Sequence, residues 1–257
     1  MVSRTATCGR MAAALVAVSL LAACAQEAGS PGSSLRVAER AAAGGDHETA
    51  ATLYRQAFEA DPRSIDALVG LGRAYGAMGQ TARAEQALLE AANRQPNDPS
   101  VLLALARVQL DGGKPQSALA NLERASGRAP NDLSIIAAHG IALDRLSRHA
   151  AAQAAYRGGL QRDPTNFALL NNLGLSLGLS GKGDEGIVIL RDLVRDPAAT
   201  PQTRGNLALV YGLTGRESEA RALLARDLEP AEVNANIAYY RELRQLLAQG
   251  RAIGGLQ

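Results

Sequence analysis

Residues 65–98 read IDALVGLGRAYGAMGQTARAEQALLEAANRQPND, and the next 34 residues, 99–132, read PSVLLALARVQLDGGKPQSALANLERASGRAPND. Laid over one another, the two segments share small residues at position 8 (Gly72, Ala106) and position 20 (Ala84, Ala118) and leucine at position 24 (Leu88, Leu122). Glycine recurs at position 15 (Gly79, Gly113) and proline at position 32 (Pro96, Pro130). The register continues outward on both sides, giving six repeats that start at Pro31, Ile65, Pro99, Leu133, Phe167 and Pro201. A fixed period of this length marks stacked helix pairs, because a single pair cannot bury its apolar face alone.

Each recurring position has a physical task. Position 8 is Ala38, Gly72, Ala106, Gly140, Gly174 and Ala208, and position 20 is Ala50, Ala84, Ala118, Ala152, Gly186 and Ala220. Two helices approach closely only where side chains are small, so these positions mark the crossing of helix A and helix B within each repeat. Tyr54, Leu88, Leu122, Tyr156, Leu190 and Leu224 at position 24 are the expected knobs of helix B. Gly45, Gly79, Gly113, Ser147, Gly181 and Gly215 at position 15 are expected to end helix A in a left-handed conformation. Pro62, Pro96, Pro130, Pro164 and Pro197 stop helix B. The residue before each repeat is Ser30, Ser64, Asp98, Asp132, Asn166 or Thr200, every one able to accept a bond from free helical N–H groups. In the first repeat a later start, capped by Ser33 or Ser34, fits equally well.

These small, apolar and proline positions resemble the tetratricopeptide repeat from Pro31 to about Pro230. The resemblance implies an all-α fold, a tetratricopeptide-repeat solenoid of about six helix pairs over residues 31–230. The departures are specific. No repeat has the family's Trp at position 4, where Ser34 and Arg204 are not even apolar, and Leu193 and Asp227 replace a small residue at position 27. The last two repeats are therefore expected to pack less regularly. Beyond them Asn234 falls again in the capping register, and Ile237, Tyr240, Leu243 and Leu247 recur at helical spacing before Gly250. Residues 231–257 read as a capping helix and tail, which a solenoid needs to cover its last apolar face.

The first residues read as an address. Arg4 and Arg10 precede an apolar run from Met11 to Ala23, shorter than the roughly 20 residues a spanning helix needs. The run ends in Leu21, Ala22, Ala23 and Cys24, which resembles the lipobox of bacterial lipoproteins. That resemblance implies a signal peptide over 1–23, lipidation of Cys24 with palmitate-type acyl chains, and a mature chain starting at Cys24. Ala25, in place of aspartate, implies sorting to the periplasmic face of the outer membrane. Several acyl chains anchor stably where one is marginal. Residues 24–30 read as a short tether, and the ten residues to Ser34 span at most about 35 Å. Cys8 leaves with the signal, so no internal disulfide is expected.

The chain carries 27 basic and 25 acidic residues, and removing Arg4 and Arg10 leaves 25 of each. A neutral mature chain argues against a nucleic-acid partner. Its 47% apolar and 3% aromatic content suits packed alanine and leucine helices.

A search for chemistry finds little. His139 stands at the otherwise apolar position 7 and reads as a packing residue, whereas His47 and His149 share position 17 and read as surface residues. None has metal-ligand spacing. The stretch from Gly174 to Gly183 fails as a phosphate loop because Ser176 stands where its first glycine belongs and Gly183 follows Lys182. Gly70 and Gly72 begin a dinucleotide pattern that Tyr75 breaks. With no clustered acid, base, nucleophile or metal ligand, no enzyme and no cofactor are expected.

Function is then expected in the concave groove, which tetratricopeptide folds line with helix A positions 2, 5, 6, 9, 12 and 13. Arg73 and Arg107 share position 9, Asn171 occupies position 5, and Asn172 and Asn206 occupy position 6. An asparagine amide can bond both the N–H and the C=O of an extended peptide, and arginine can pair with a carboxylate. Two readings stay open: these residues bind a peptide, or they solvate the groove.

Three stretches of the C-terminal third carry a narrower resemblance. Asn171 to Gly181 reads NNLGLSLGLSG, Ala199 to Leu228 reads ATPQTRGNLALVYGLTGRESEARALLARDL, and Val233 to Arg244 reads VNANIAYYRELR. With the lipobox and the repeats, they resemble the TadD lipoproteins of the tight-adherence (Flp) pilus machinery. The resemblance implies a noncatalytic outer-membrane lipoprotein that assists pilus assembly, with the pilus secretin as protein partner. The alternatives are a pilotin of another pilus system and a general periplasmic adaptor for cell-envelope proteins.

Overall fold

The computed structural model describes residues 31–251 and residue 253. The signal sequence, Cys24 and the 24–30 tether lie outside the described residues. Thirteen helices and no strand occur among the described residues. They fall into two compact units, divided between Pro96 and Asn97. The first holds α1 (Pro31–Ala43), α2 (His47–Ala60), α3 (Ile65–Ala77) and α4 (Thr81–Arg94), the helix pairs of repeats one and two. The second holds α5 (Pro99–Asp111), α6 (Pro115–Arg128), α7 (Leu133–Arg145), α8 (His149–Leu160), α9 (Phe167–Leu179), α10 (Gly183–Val194), α11 (Pro201–Leu213), α12 (Glu217–Leu224) and α13 (Pro230–Ala248). The fold class is all-α, with the helix pairing of a tetratricopeptide solenoid and a final helix after the sixth pair.

The helices begin and end where the repeat places its punctuation. Helix A is capped by a side chain in repeats two to six, as Ser64 Oγ accepts from Ala67 N and Asp98 Oδ1 from Ser100 N and Val101 N. Asp132, Asn166 and Thr200 cap α7, α9 and α11 in the same way. Pro31 opens α1, in register with the other repeats. At the other end all six residues at position 15 are left-handed, including Ser147 at φ 58. The next residue's N–H returns to the fifth carbonyl back at 2.8–2.9 Å, as in Gln80 N to Tyr75 O and Arg148 N to Leu143 O. This turn leaves α4, α6, α8, α10 and α12 without a side-chain N-cap bond. Pro62, Pro96, Pro130 and Pro164 lie beyond the ends of α2, α4, α6 and α8.

The expected crossing of the two helices is observed. All the alanines at positions 8 and 20 are fully buried, as are Leu88, Leu122, Tyr156 and Leu190 at position 24. Where position 8 is glycine, the knob of the same repeat fills the space. A Cβ on Gly72 would stand 2.5 Å from Leu88 Cγ, and one on Gly140 would stand 2.2 Å from Tyr156 Cε1. In repeat five both partners are glycine, and a Cβ on Gly186 would meet Gly174 O at 2.4 Å. Each fully buried knob contributes about 1.5–3 kcal/mol.

The departures in the last repeats have structural counterparts. The α12 helix is only 8 residues long, and Leu193 at position 27 is accommodated as a buried residue. After the sixth pair, α13 starts at Pro230, four residues before Asn234. Glu229 and Glu232 form a reciprocal capping box there, with proline at the first helical position. Asn234 does not cap the helix; it lies within it and accepts a 2.7 Å bond from Arg221 Nη1. Val233, Ile237 and Tyr240 of α13 cover Ala208, Ala220 and Leu224, and Gly250 ends the helix at φ 72.

Candidate functional site

In the second compact unit the helix A face encloses a cavity of about 630 Å³. Its lining follows the repeat register. Ser134, Ala168 and Gln202 stand at position 2, and Ala138, Asn172 and Asn206 at position 6. Arg107, Ile141, Leu175 and Leu209 stand at position 9, and Ala137, Leu110, Asp111, Asp144, Arg145 and Leu179 complete positions 5, 12 and 13. Only Tyr156, a helix B knob, and Ile253, beyond the last helix, come from elsewhere. Every fourth or third residue of helix A faces one side, so successive pairs project the same positions into one groove.

Of the sequence-derived candidates, Arg107, Asn172 and Asn206 line this cavity. Arg107 is exposed and has no hydrogen-bond or ion-pair partner among the described residues. Asn171 is not among the lining residues but joins the other two amides in a chain. Asn206 Nδ2 donates to Asn171 Oδ1 at 3.2 Å across α9 and α11, and Asn171 Nδ2 donates to Asn172 Oδ1 at 3.5 Å. An amide has two donor hydrogens and two acceptor sites, so one bond on Asn172 and Asn206 and two on Asn171 leave further capacity on each. Arg73 is exposed on α3, in the first compact unit, and is not part of the cavity lining. Cys24 lies outside the described residues.

Beneath the groove is a polar frame that the repeat pattern did not indicate, centred on Asp144. Its carboxylate accepts from Ser176 Oγ at 2.6 Å, His149 Nδ1 at 2.8 Å and Tyr156 Oη at 3.0 Å. A carboxylate can only accept, so Nδ1 of His149 carries the hydrogen. These bonds tie α7 to α8 and α9 and compensate the carboxylate for lost water. Gln153 Nε2 extends the frame to Ser176 O and Ser180 Oγ, at 3.2 and 2.9 Å. Arg145 Nη1 donates to Leu110 O at 2.6 Å, joining α7 to α5. Burial pushes the Tyr156 hydroxyl far above its ordinary pKa, and the neighbouring Asp144 charge and hydrogen bond add to this.

His149 is thus not the surface residue that its repeat position suggested. Its side chain is only 10% exposed, because Asp144 draws the ring inward, and its Nε2 is buried without a partner among the described residues. The sequence signal was a single deviation: Asp144 is the one charged residue at position 12, where the other repeats have Ala42, Gly76, Leu110, Gly178 and Gly212. His139 is half-buried, and burial lowers its pKa against a smaller opposing effect of Glu123. In the Asp144 frame the carboxylate stands between serine and histidine, so the His149 imidazole does not touch the Ser176 hydroxyl. Ser176 is also fully buried. The arrangement holds helices together and presents no activated nucleophile. No group of three or more His, Cys, Asp or Glu among the described residues is placed to hold a metal ion.

Residues 41–108 match the family model described as tetratricopeptide repeat. No curated protein matches the chain. Among solved structures, the chain is similar to PilW, described as a widely conserved type IV pilus biogenesis factor, with a TM-score of 0.67 at 16% identity over 84% of this chain and 98% of that one. A tetratricopeptide repeat protein from Parabacteroides merdae ATCC 43184 matches with a TM-score of 0.65 at 18% identity, over 86% and 87% of the two chains. YrrB, described as a tetratricopeptide protein with an unusual peptide-binding site, matches with a TM-score of 0.51 at 19% identity, over 63% and 84%. At these identities the likeness is one of fold.

Proposed function

We propose that the protein is a noncatalytic scaffold that holds an extended segment of a protein partner in the groove of its second compact unit. One observation carries this reading: the cavity lining combines an unpaired cation, Arg107, two asparagine amides, Asn172 and Asn206, that are linked through Asn171 outside the lining, and the aliphatic Ile141, Leu175 and Leu209 at position 9. Such a surface can pair a carboxylate, bond a peptide backbone and bury an aliphatic side chain at once. Arg73 offers the same cation at position 9 of repeat two.

We infer further that the chain is a TadD-like lipoprotein, anchored through acylated Cys24 at the periplasmic face of the outer membrane. There it assists assembly of the Flp pilus secretion machinery, with the secretin as its partner. The three C-terminal stretches and the lipobox support this, and the fold shared with a pilus biogenesis factor is in keeping with it. The test is recovery of partners from cell envelopes with Cys24 intact and with Cys24→Ser, together with a count of secretin multimers in a deletion strain. Secretin recovered with the wild type and multimers lost on deletion are expected. Recovery of cell-wall enzymes alone, with multimers intact, replaces this reading with a general periplasmic adaptor. Incorporation of labelled palmitate by the wild type but not by Cys24→Ser tests the anchor separately.

A further inference from the structure

The groove lining contains one residue that belongs to no helix. The turn at Gly250 ends α13, with Arg251 N donating to Leu246 O at 2.9 Å, and the chain then brings Ile253 into the cavity lining. Ile253 is 3% exposed, packed with Leu213 and Leu243 and against the partly buried Leu179 and Leu209. The position 9 row changes character along the groove, from Arg107 to Ile141, Leu175 and Leu209. Ile253 adjoins its aliphatic end, beside the last of these residues. A branched aliphatic side chain on non-helical backbone is thus already seated where the apolar row ends.

We propose that the Ile253 side chain is a displaceable occupant of the apolar end of the groove, and that the partner is an extended peptide segment whose own branched aliphatic residue takes the seat of Ile253. The inference rests on the groove reading above and adds the side-chain class that the site selects. A site occupied in cis binds a second segment only in its vacant fraction, so emptying the seat raises apparent affinity by the inverse of that fraction. Occupancy of nine-tenths corresponds to roughly tenfold.

The probe is a fluorescent peptide of residues 249–257, QGRAIGGLQ, titrated against the full mature chain carrying Cys24→Ser. Ile253→Ser in that protein is expected to raise affinity for the peptide roughly tenfold or more, and Ile253→Val to leave it at the starting value. Serine in place of isoleucine in the peptide is expected to abolish binding, and the bound peptide to shift the side-chain amide resonances of Asn172 and Asn206. Circular dichroism on each variant verifies that the helices are intact. Equal affinity of the Ile253→Ser and unsubstituted proteins, binding indifferent to the peptide's isoleucine, or binding to neither protein overturns the proposal. The two readings fail separately. If alanine at Asn172 and Asn206 abolishes partner recovery while the peptide ignores Ile253, the groove stands and its occupant does not. If the peptide competes as described but those alanines leave partner recovery unchanged, the seat stands and the partner binds elsewhere.

Discussion

Arg204 and Asp227 meet across the sixth repeat through two parallel hydrogen bonds, Nε to Oδ2 at 2.7 Å and Nη2 to Oδ1 at 2.6 Å. They stand at positions 4 and 27, where the repeat family has Trp and a small residue, so the two departures from the pattern are partners in one contact. The paired geometry raises the Arg204 pKa and lowers that of Asp227, in each case chiefly through the hydrogen bonds between them. Alanine at either position should lower the unfolding midpoint, and the double variant should lose less than the two singles together. Exchanging the residues, as Arg204→Asp with Asp227→Arg, should restore part of the loss. Strict additivity in urea melts would show that the pair is decorative.

Close approach of α9 and α10 makes Gly186 irreplaceable. Alanine there would place its Cβ 2.4 Å from Gly174 O, a backbone atom that cannot rotate away. Gly186→Ala is expected to destabilise by about 1–3 kcal/mol. Gly127→Ala is the matched control, since its Cβ would meet nothing within 4 Å and α6 gains a better helix former. It should stabilise by about 0.5–1 kcal/mol. Equal effects of the two changes, read by denaturant unfolding, contradict the packing described.

The Asp144 frame sets the floor of the groove. Asp144→Ala strands the Ser176 hydroxyl, the His149 ring and the Tyr156 hydroxyl together, and should cost at least about 2 kcal/mol. Amide hydrogen exchange in α8 and α9 should accelerate more than in α5 and α6. Uniform acceleration would assign Asp144 no local role.

Acid should weaken the fold in two steps. Burial lowers the pKa of His139, so as pH falls the unfolded chain takes up this proton first, near pH 6.5, and stability declines from there. Asp98 is held below the ordinary carboxylate range chiefly by the Ser100 hydroxyl, and Glu217 chiefly by Arg241. Their contribution is complete above about pH 5, beyond the unfolded carboxylate values, and fades as the pH drops through their lowered folded values. Both steps have one sign: stability rises with pH. His139→Leu should flatten the upper step alone, as measured by urea midpoints from pH 3 to 8.

Alanine at Asn172 and Asn206 together should reduce partner recovery about tenfold or more, while the melt falls by no more than the two lost bonds to Asn171, about 1–2 kcal/mol. Arg107→Ala should weaken the same complex and reduce its salt sensitivity. A complex indifferent to all three residues places the partner on another face.

Periodicity makes much of this legible in the sequence. The left-handed Ser147 was readable only because five glycines share its position, and the groove lining was readable because helix A repeats its facing positions. What escaped were features that occur once. Asp144 is a single-repeat deviation whose partners lie 5, 12 and 32 residues away, and no period connects them. The repeat register, extended past its last member, points to Asn234, whereas Glu229, Pro230 and Glu232 carry the local capping signal that starts α13. Ile253 follows the repeats altogether, and its burial depends on tertiary contacts that local patterning does not encode.

The turn between the two helices of a repeat is closed by backbone atoms, and outside the first repeat, where Asp46 caps α2, the first residue of helix B has no cap to support it. The residues that occupy this place, His47, Thr81, Pro115, His149, Gly183 and Glu217, accordingly share no chemistry. In repeat four the side chain turns inward to the Asp144 frame, and in repeat six Glu217 instead pairs with Arg241. A joint closed by backbone atoms asks only for a left-handed residue at position 15, so the residue two places on is free to take a separate task in each repeat.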